Sequence, residues 1–167
     1  LDTVPPWGAL SGVRPSKLST KALLAGKTRR QAERELEREF FVTPERAKLC
    51  VDASEHTVEA MNLLAPRDLS VYIGIPFCPT RCAYCSFVSE SVERFGEFLP
   101  PYLDCLLREV EYTGKLLRQS GWHVRTLYMG GGTPTTLSAE QMARLLDAVN
   151  TYFDLSRCLE FTVEGGR

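Results

Sequence analysis

The sequence has no apolar run close to the roughly 20 residues needed to cross a bilayer. Its opening, LDTVPPWGALSGVRPSK, lacks the apolar core of an export signal and is broken by prolines. Neither sign of charge is in excess: 20 Lys and Arg face 21 Asp and Glu. That balance points to no nucleic-acid or membrane-surface partner. There is no low-complexity tract and no internal repeat. Histidine is scarce, and the two present, His56 and His123, have no partner at ligand spacing. The chain does not begin with Met, so the natural N-terminus is expected to lie upstream. Without an export signal the expected compartment is the cytoplasm, where thiols stay reduced. A disulfide framework is therefore not expected.

The six cysteines are unevenly spread. Three of them fall in CPTRCAYC, residues 78 to 85. In a reducing compartment such a cluster points to metal ligands or redox groups.

The 167 residues suit one domain, or one domain with an appendage. Two parts are expected, divided near residue 66. Residues 1–66 read as turn-rich and then helical. Thr28 with Gln31 forms a capping box before QAERELEREF. Thr43-Pro44 supplies the N-cap and first turn of a second helix running toward Leu64. The charges of ERELERE read as a solvated helix face. APRD, residues 65–68, reads as a linker.

Residues 67–167 carry a different pattern. SVYIGI is a short β-rich strand. PYLDCLLREVEYTGKLL places Leu103, Leu106, Leu107, Val110 and Leu117 at helical spacing, with Pro100 and Pro101 in the first turn. RTLYM, 125–129, is a second strand. Ser138 and Gln141 open a helix with Met142, Leu145, Leu146, Val149 and Phe153 on one face. LEFTV, 159–163, is a third strand. This β-α-β-α-β order predicts an α/β fold with parallel strands. CPTRCAYC, GGGTPTT and Glu164-Gly165-Gly166 each follow a strand. In parallel β/α architectures the C-terminal strand ends share one face, where function gathers. The three motifs are therefore expected to meet.

Thiolates hold zinc, copper(I) or iron–sulfur clusters. A closed zinc site needs four ligands, and Cys78, Cys82 and Cys85 are only three. Cys50, Cys105 or His123 could be a fourth, although Cys105 reads as buried on the apolar side of its helix. Three thiolates suit a cubane with one iron left open. Iron–sulfur, zinc and three unligated thiols all remain open, in that order. Cys50, Cys105 and Cys158 read as small apolar residues. Gly130, Gly131 and Gly132 stand where a strand should become a loop, as a ligand-contacting turn or a plain one before Pro134. There is no Walker lysine. Glu164 could hold a ribose hydroxyl or a cation, or be merely exposed. Tyr72 fits core packing or ligand support. Arg81 and Tyr84 could cover a cluster or be loop residues.

YIGIPFCPTRCAYCSF resembles the cluster-binding segment of the radical SAM superfamily. YMGGGTPTTL resembles its second-strand motif and FTVEGGR its third. The PFC start, the Tyr between ligands and the full GGGTPT resemble the oxygen-independent coproporphyrinogen III oxidase group. PWGALSGVRPSK resembles the leader of that group's HemZ-like, coproporphyrinogen dehydrogenase branch. The resemblance implies a partial TIM-like barrel preceded by a small helical segment. It implies a [4Fe–4S] cluster on Cys78, Cys82 and Cys85, with S-adenosylmethionine on the open iron. Gly130, Gly131, Gly132 and Thr133 would contact the cofactor, with Tyr72, Tyr84 and Glu164 near it. The implied reaction is oxidative decarboxylation of coproporphyrinogen III propionates to vinyl groups through a 5′-deoxyadenosyl radical. An electron donor such as flavodoxin or ferredoxin is implied. Oxidases of the group carry a further cysteine two residues after the third ligand, where this chain has Phe87. Haem chaperones of the group carry an aromatic there, so haem trafficking is the alternative, with a zinc-stabilised binding module behind it. The family barrel continues past the third-strand motif, where this chain stops. The chain is therefore expected to be an N-terminal fragment that does not turn over alone.

Overall fold

The computed structural model describes residues 5–165. The chain divides into two compact units, Leu1–Leu64 and Ala65–Arg167.

The first unit holds three helices: α1 (Pro15–Leu24), α2 (Arg29–Phe40) and α3 (Pro44–Asn62). α1 lies in the stretch that reads as turn-rich in the sequence. Pro15 starts it, since a first-turn proline loses no intrahelical bond. α2 opens on the expected box: the Gln31 amide donates to Thr28 Oγ1, and the Thr28 amide donates to Gln31 Oε1 at 2.7 Å. Thr43 precedes α3 but does not cap it with its side chain; its hydroxyl donates to the Pro6 carbonyl instead, at 3.3 Å. Ala22, Ala32, Leu36, Val42, Ala47, Cys50 and Val51 form the core. Ser19 and Ser54 are buried beside it but are mutually bonded at 2.6 Å, which removes most of the cost of burying two hydroxyls. The charged face of α2 is solvated, as expected, with Arg29 bridging to Glu33, Asp52 and Glu55.

The second unit is α/β. Its elements are β1 (Asp68–Ile75), β2 (Phe77–Cys78), β3 (Glu90–Ser91), α4 (Val92–Phe95), α5 (Leu99–Ser120), β4 (His123–Gly131), α6 (Ala139–Tyr152) and β5 (Glu160–Val163). The main sheet has the order β1-β4-β5, and both pairings are parallel. Side chains alternate between the faces of a strand, so the register sorts them. Ile73 pairs with Met129, and Ile75 and Leu127 lie on the same buried side. These four join Leu103, Leu106 and Val110 of α5 and Leu145 and Val149 of α6 in one core. α5 and α6 approach so closely at Gly114 that a Cβ there would stand 2.5 Å from the Tyr152 carbonyl. α6 opens on the expected Ser138–Gln141 box.

At the N-terminal end of the strands, the Asp68 carboxylate is fully enclosed. It accepts from the Ala65 amide at 2.9 Å and faces Arg125 at 3.5 Å and Arg157 at 3.8 Å. The catalytic possibilities lie at the other end.

Two expectations need correction. Cys105 is exposed, not buried. The buried stripe of α5 runs through Leu103, Leu106 and Val110. Cys105 lies about 100° around the helix from Leu106, on the solvent side. There its sulfur accepts from Arg108 Nη2 at 3.1 Å. Of the three outlying cysteines only Cys50 is buried; Cys158 is half-buried. Second, β4 does not turn at Gly130. Gly130 pairs with Gly74 and Gly131 with Ile75, so the turn begins at Gly132.

Candidate functional site

The three motifs converge at the C-terminal ends of β1, β4 and β5. Cys78 sits in β2, directly after β1, and is buried. β2 pairs with β3 through Phe77–Glu90 and Cys78–Ser91, which closes the intervening loop of residues 79–89 at its base. The other two motif cysteines lie on that loop, both half-buried, with the Cys85 amide donating to the Cys82 carbonyl at 3.1 Å.

GGGTPTT is fastened onto this strand. The Gly132 amide donates to Ile75 O and the Thr133 amide to Phe77 O, each at 2.8 Å. Thr136 Oγ1 donates to Phe77 O at 3.3 Å. Thr133 Oγ1 donates to Cys78 Sγ at 3.6 Å, an ordinary length for a sulfur acceptor, and both groups are buried. Gly132 has no alternative here. A Cβ would stand 2.6 Å from Phe77 O, 2.9 Å from Ile75 O and 3.0 Å from Cys78 Sγ. Gly131 has φ 109°, outside the range of ordinary side-chain-bearing residues. The motif is thus a clamp on the strand that presents the first cysteine.

The uncovered face of the sheet is built from register pairs. Ser70 faces Thr126, Tyr72 faces Tyr128, and Gly74 faces Gly130. Thr126 donates to the Ser70 hydroxyl at 2.8 Å. The two tyrosine rings stack, centroids 6.0 Å apart and planes within 10° of parallel. Tyr72 is 62% exposed, so it is not a core residue. Glu164 follows β5, and its amide donates to Met129 O at 2.9 Å. Its carboxylate accepts from Tyr128 OH at 2.5 Å. That bond, then burial and the nearby negative charge, holds the Tyr128 phenol above its ordinary pKa. A Cβ on Gly130 would stand 2.9 Å from the Tyr128 ring and 3.0 Å from Glu164 Oε2. Past the tyrosines the surface therefore drops to bare backbone, edged by a carboxylate. On the other face Tyr102 of α5 donates to the Gly74 carbonyl.

Tyr128 is the site residue that the sequence reading missed. Its signal was available: it alternates with Met129 and precedes Gly130 by two, so it shares the glycine face. Tyr84 is 88% exposed at the tip of the cysteine loop, near Phe87 and Val88, which are also exposed. The remaining alternatives for a fourth ligand are dispersed: Cys105 is on the outside of α5, His123 starts β4, and Cys50 packs against Ser19 in the helical unit. Gly166 and Arg167 of the third motif lie outside the described residues, as do Leu1–Val4 of the leader.

Among the described residues, no three Cys, His, Asp or Glu side chains stand together as a preformed metal cage. The donor set nevertheless fits a thiolate-bound centre. All three motif cysteines are free thiols on one closed loop, and one of them has a hydroxyl aimed at its sulfur. No helix among the described residues is long and apolar enough to cross a membrane.

The site thus combines a parallel β/α sheet, a CxxxCxxC loop after its first strand and a glycine clamp after its second, an arrangement open to more than one reading. Comparison with known proteins narrows it. No family model matches the chain. Over 164 residues it is 37% identical to the oxygen-independent coproporphyrinogen-III oxidase-like protein HemZ of Bacillus subtilis. That match covers 96% of this chain and 33% of HemZ. It is 40% identical over 95 residues to the heme chaperone HemW of Lactococcus lactis, covering 57% of this chain and 23% of HemW. Among solved structures it superposes on HemN of Escherichia coli, a coproporphyrinogen III oxidase described as a radical SAM enzyme, with a TM-score of 0.50 and 30% identity. There 65% of this chain and 25% of the other are covered. These similarities place the chain beside the radical SAM, coproporphyrinogen-oxidase-like proteins over the part that it covers. It spans about a third of the length of HemZ.

Proposed function

We propose that this chain is the cluster- and S-adenosylmethionine-binding portion of a radical protein acting on tetrapyrroles. The observation that carries the reading is the clamp. Gly132 and Thr133 are bonded directly to the strand bearing Cys78, so the cysteine and glycine motifs form one assembly.

Cys78, Cys82 and Cys85 would hold a [4Fe–4S] cluster. A bound cluster supplies the single electron that cleaves S-adenosylmethionine and starts hydrogen abstraction from a propionate side chain. The chain's own groups position the cofactor. Gly130, Gly131 and Gly132 would bring backbone close to its methionine end, as only residues without bulk can, and Thr133 would follow them at the edge of that contact. Tyr72 flanks it with an exposed ring. The Glu164 carboxylate accepts a hydroxyl or faces the ammonium. Tyr84, on the loop tip, covers the cluster from the solvent side. The proposed reaction is oxidative decarboxylation of coproporphyrinogen III, with electrons from a flavodoxin- or ferredoxin-like donor in the cytoplasm. Residues 1–66 form the proposed leader and residues 67–167 the proposed first part of the barrel.

The second reading is haem trafficking on the same scaffold. Phe87, exposed on the cysteine loop, favours it, because oxidases of the group have a cysteine at that position.

The test is anaerobic reconstitution with iron and sulfide, then low-temperature EPR of the reduced protein with and without S-adenosylmethionine. A cubane signal that changes with the cofactor supports the reading. Tightly bound zinc with no cubane signal would sink it. Product analysis of the longest natural form with coproporphyrinogen III separates the two versions: a decarboxylated product favours the oxidase, and stable haem binding without turnover favours trafficking.

A further inference from the structure

We propose that Thr133 is a positioning residue for Cys78, its hydroxyl donating to the thiolate and setting the electron affinity of the metal centre that the thiolate joins. This rests on the cluster reading above, and the threonine acts through the cysteine without touching substrate.

The geometry is specific. Thr133 is 7% exposed and Cys78 4% exposed, so both groups are largely shielded from solvent. Thr133 Oγ1 stands 3.6 Å from Cys78 Sγ and is the donor. The Thr133 backbone is itself fixed, because its amide donates to Phe77 O, the residue next to the cysteine, at 2.8 Å. The side chain therefore comes from a backbone that cannot drift relative to its target. Gly132 brings it there by lacking the Cβ that would collide with the same sulfur at 3.0 Å.

A hydrogen bond to a ligand sulfur stabilises the state with more negative charge on that sulfur. In a cluster this is the reduced state, so the bond raises the reduction potential. Burial strengthens the effect, since the local dielectric is low. Of the three motif cysteines, Cys78 is the fully buried one. Its iron would thus differ electronically from those held by Cys82 and Cys85 on the loop.

Thr133→Val keeps the branched shape and removes the donor, whereas Thr133→Ser keeps the donor. Both would be made in the full chain, reconstituted anaerobically and titrated potentiometrically with EPR detection, with iron content and circular dichroism measured alongside. Thr133→Val should shift the potential negative by a factor of about ten in the reduction equilibrium, or about 59 mV for one electron. Thr133→Ser should lie near the parent. A Thr133→Val protein that folds normally but binds much less iron, with Thr133→Ser normal, supports the same role through placement of the thiol. Equal potentials in parent and Thr133→Val at equal iron content would overturn the proposal and leave the cluster reading intact. So would equal damage from both variants, which marks a packing role only. A parent chain that forms no cluster would remove both, and the parent measurement alone identifies that case.

Discussion

Tyr128 of β4 and Glu164, just past the end of the neighbouring parallel strand β5, are joined side chain to side chain by a 2.5 Å hydrogen bond across the uncovered face of the sheet. The phenol donates and the carboxylate accepts. A group proposed to meet the cofactor is therefore held by a residue two positions before the glycine motif.

This pairing predicts an alkaline titration. The Tyr128 pKa is raised first by its bond to Glu164, and that of Tyr102 first by burial. Two of the six tyrosines should therefore ionise late in an absorbance titration. Glu164→Gln should move one of them down and leave the other. The folded chain holds the Tyr128 proton more tightly than the unfolded chain. The bond's contribution to stability is thus fully present below the unfolded phenol value of about 10 and is lost as pH rises through the folded value. If Glu164→Gln leaves both late ionisations in place, the Glu164 charge is not what holds the Tyr128 proton.

Gly132→Ala should destabilise the second unit by about 1–3 kcal/mol, because two backbone carbonyls and a sulfur occupy the space of the new methyl. Gly165→Ala, with nothing within 4 Å, should change stability by less than about 0.5 kcal/mol. Urea denaturation of the two variants side by side decides it. Equal stability would mean that the clamp has slack which the geometry denies.

Iron uptake should sort the cysteines. Cys78→Ala, Cys82→Ala and Cys85→Ala should each lose most of the roughly four irons of a cubane. Cys105→Ala should retain them, since that thiol lies on the outer face of α5. Loss of iron in Cys105→Ala would bring it back as a ligand.

The helix starts should respond unequally to the loss of a hydroxyl. Ser138→Ala removes an accepting side chain from a complete capping box and should cost about 1 kcal/mol. Thr43→Ala removes a hydroxyl that does not cap its helix and should cost less than about 0.5 kcal/mol. Thermal melts of both are sufficient; a larger loss in Thr43→Ala would place a cap where the geometry has none.

The α/β order, the parallel pairing and both capping boxes were legible because each rests on a local pattern. SVYIGI marks a strand by its β-rich composition, and Ser-x-x-Gln fixes a helix start whatever lies above it. Cys105 misled for a physical reason: an apolar neighbourhood in sequence does not fix the angle around a helix, and at 100° per residue Cys105 falls outside the stripe of Leu103, Leu106 and Val110. Gly132 could be read as a turn or a ligand contact. Its closest neighbours are Ile75 and Phe77, whose carbonyls arrive only when the strands align, so no local pattern could announce them. The face that Tyr128 shares with Gly130 was legible from alternation, but its pairing with Glu164, 36 residues away along the chain, was not. α1 was missed because no side chain caps its start and three of its apolar residues bunch in its last turn.

The clamp on Cys78 also has a direction in time. Thr133 follows Cys78 by 55 residues in the chain. At ordinary rates of synthesis the ribosome needs roughly 3–11 s to make that stretch. Throughout this interval the cysteine has left the site of peptide bond formation without its hydroxyl donor, without β4 beside β1, and without the glycine turn that encloses it. A metal centre delivered then would meet a loose thiol on a nascent strand; one delivered afterwards meets a fixed one. The order of residues in the gene therefore sets a waiting period, in which this thiol depends on the reducing capacity of its surroundings for protection.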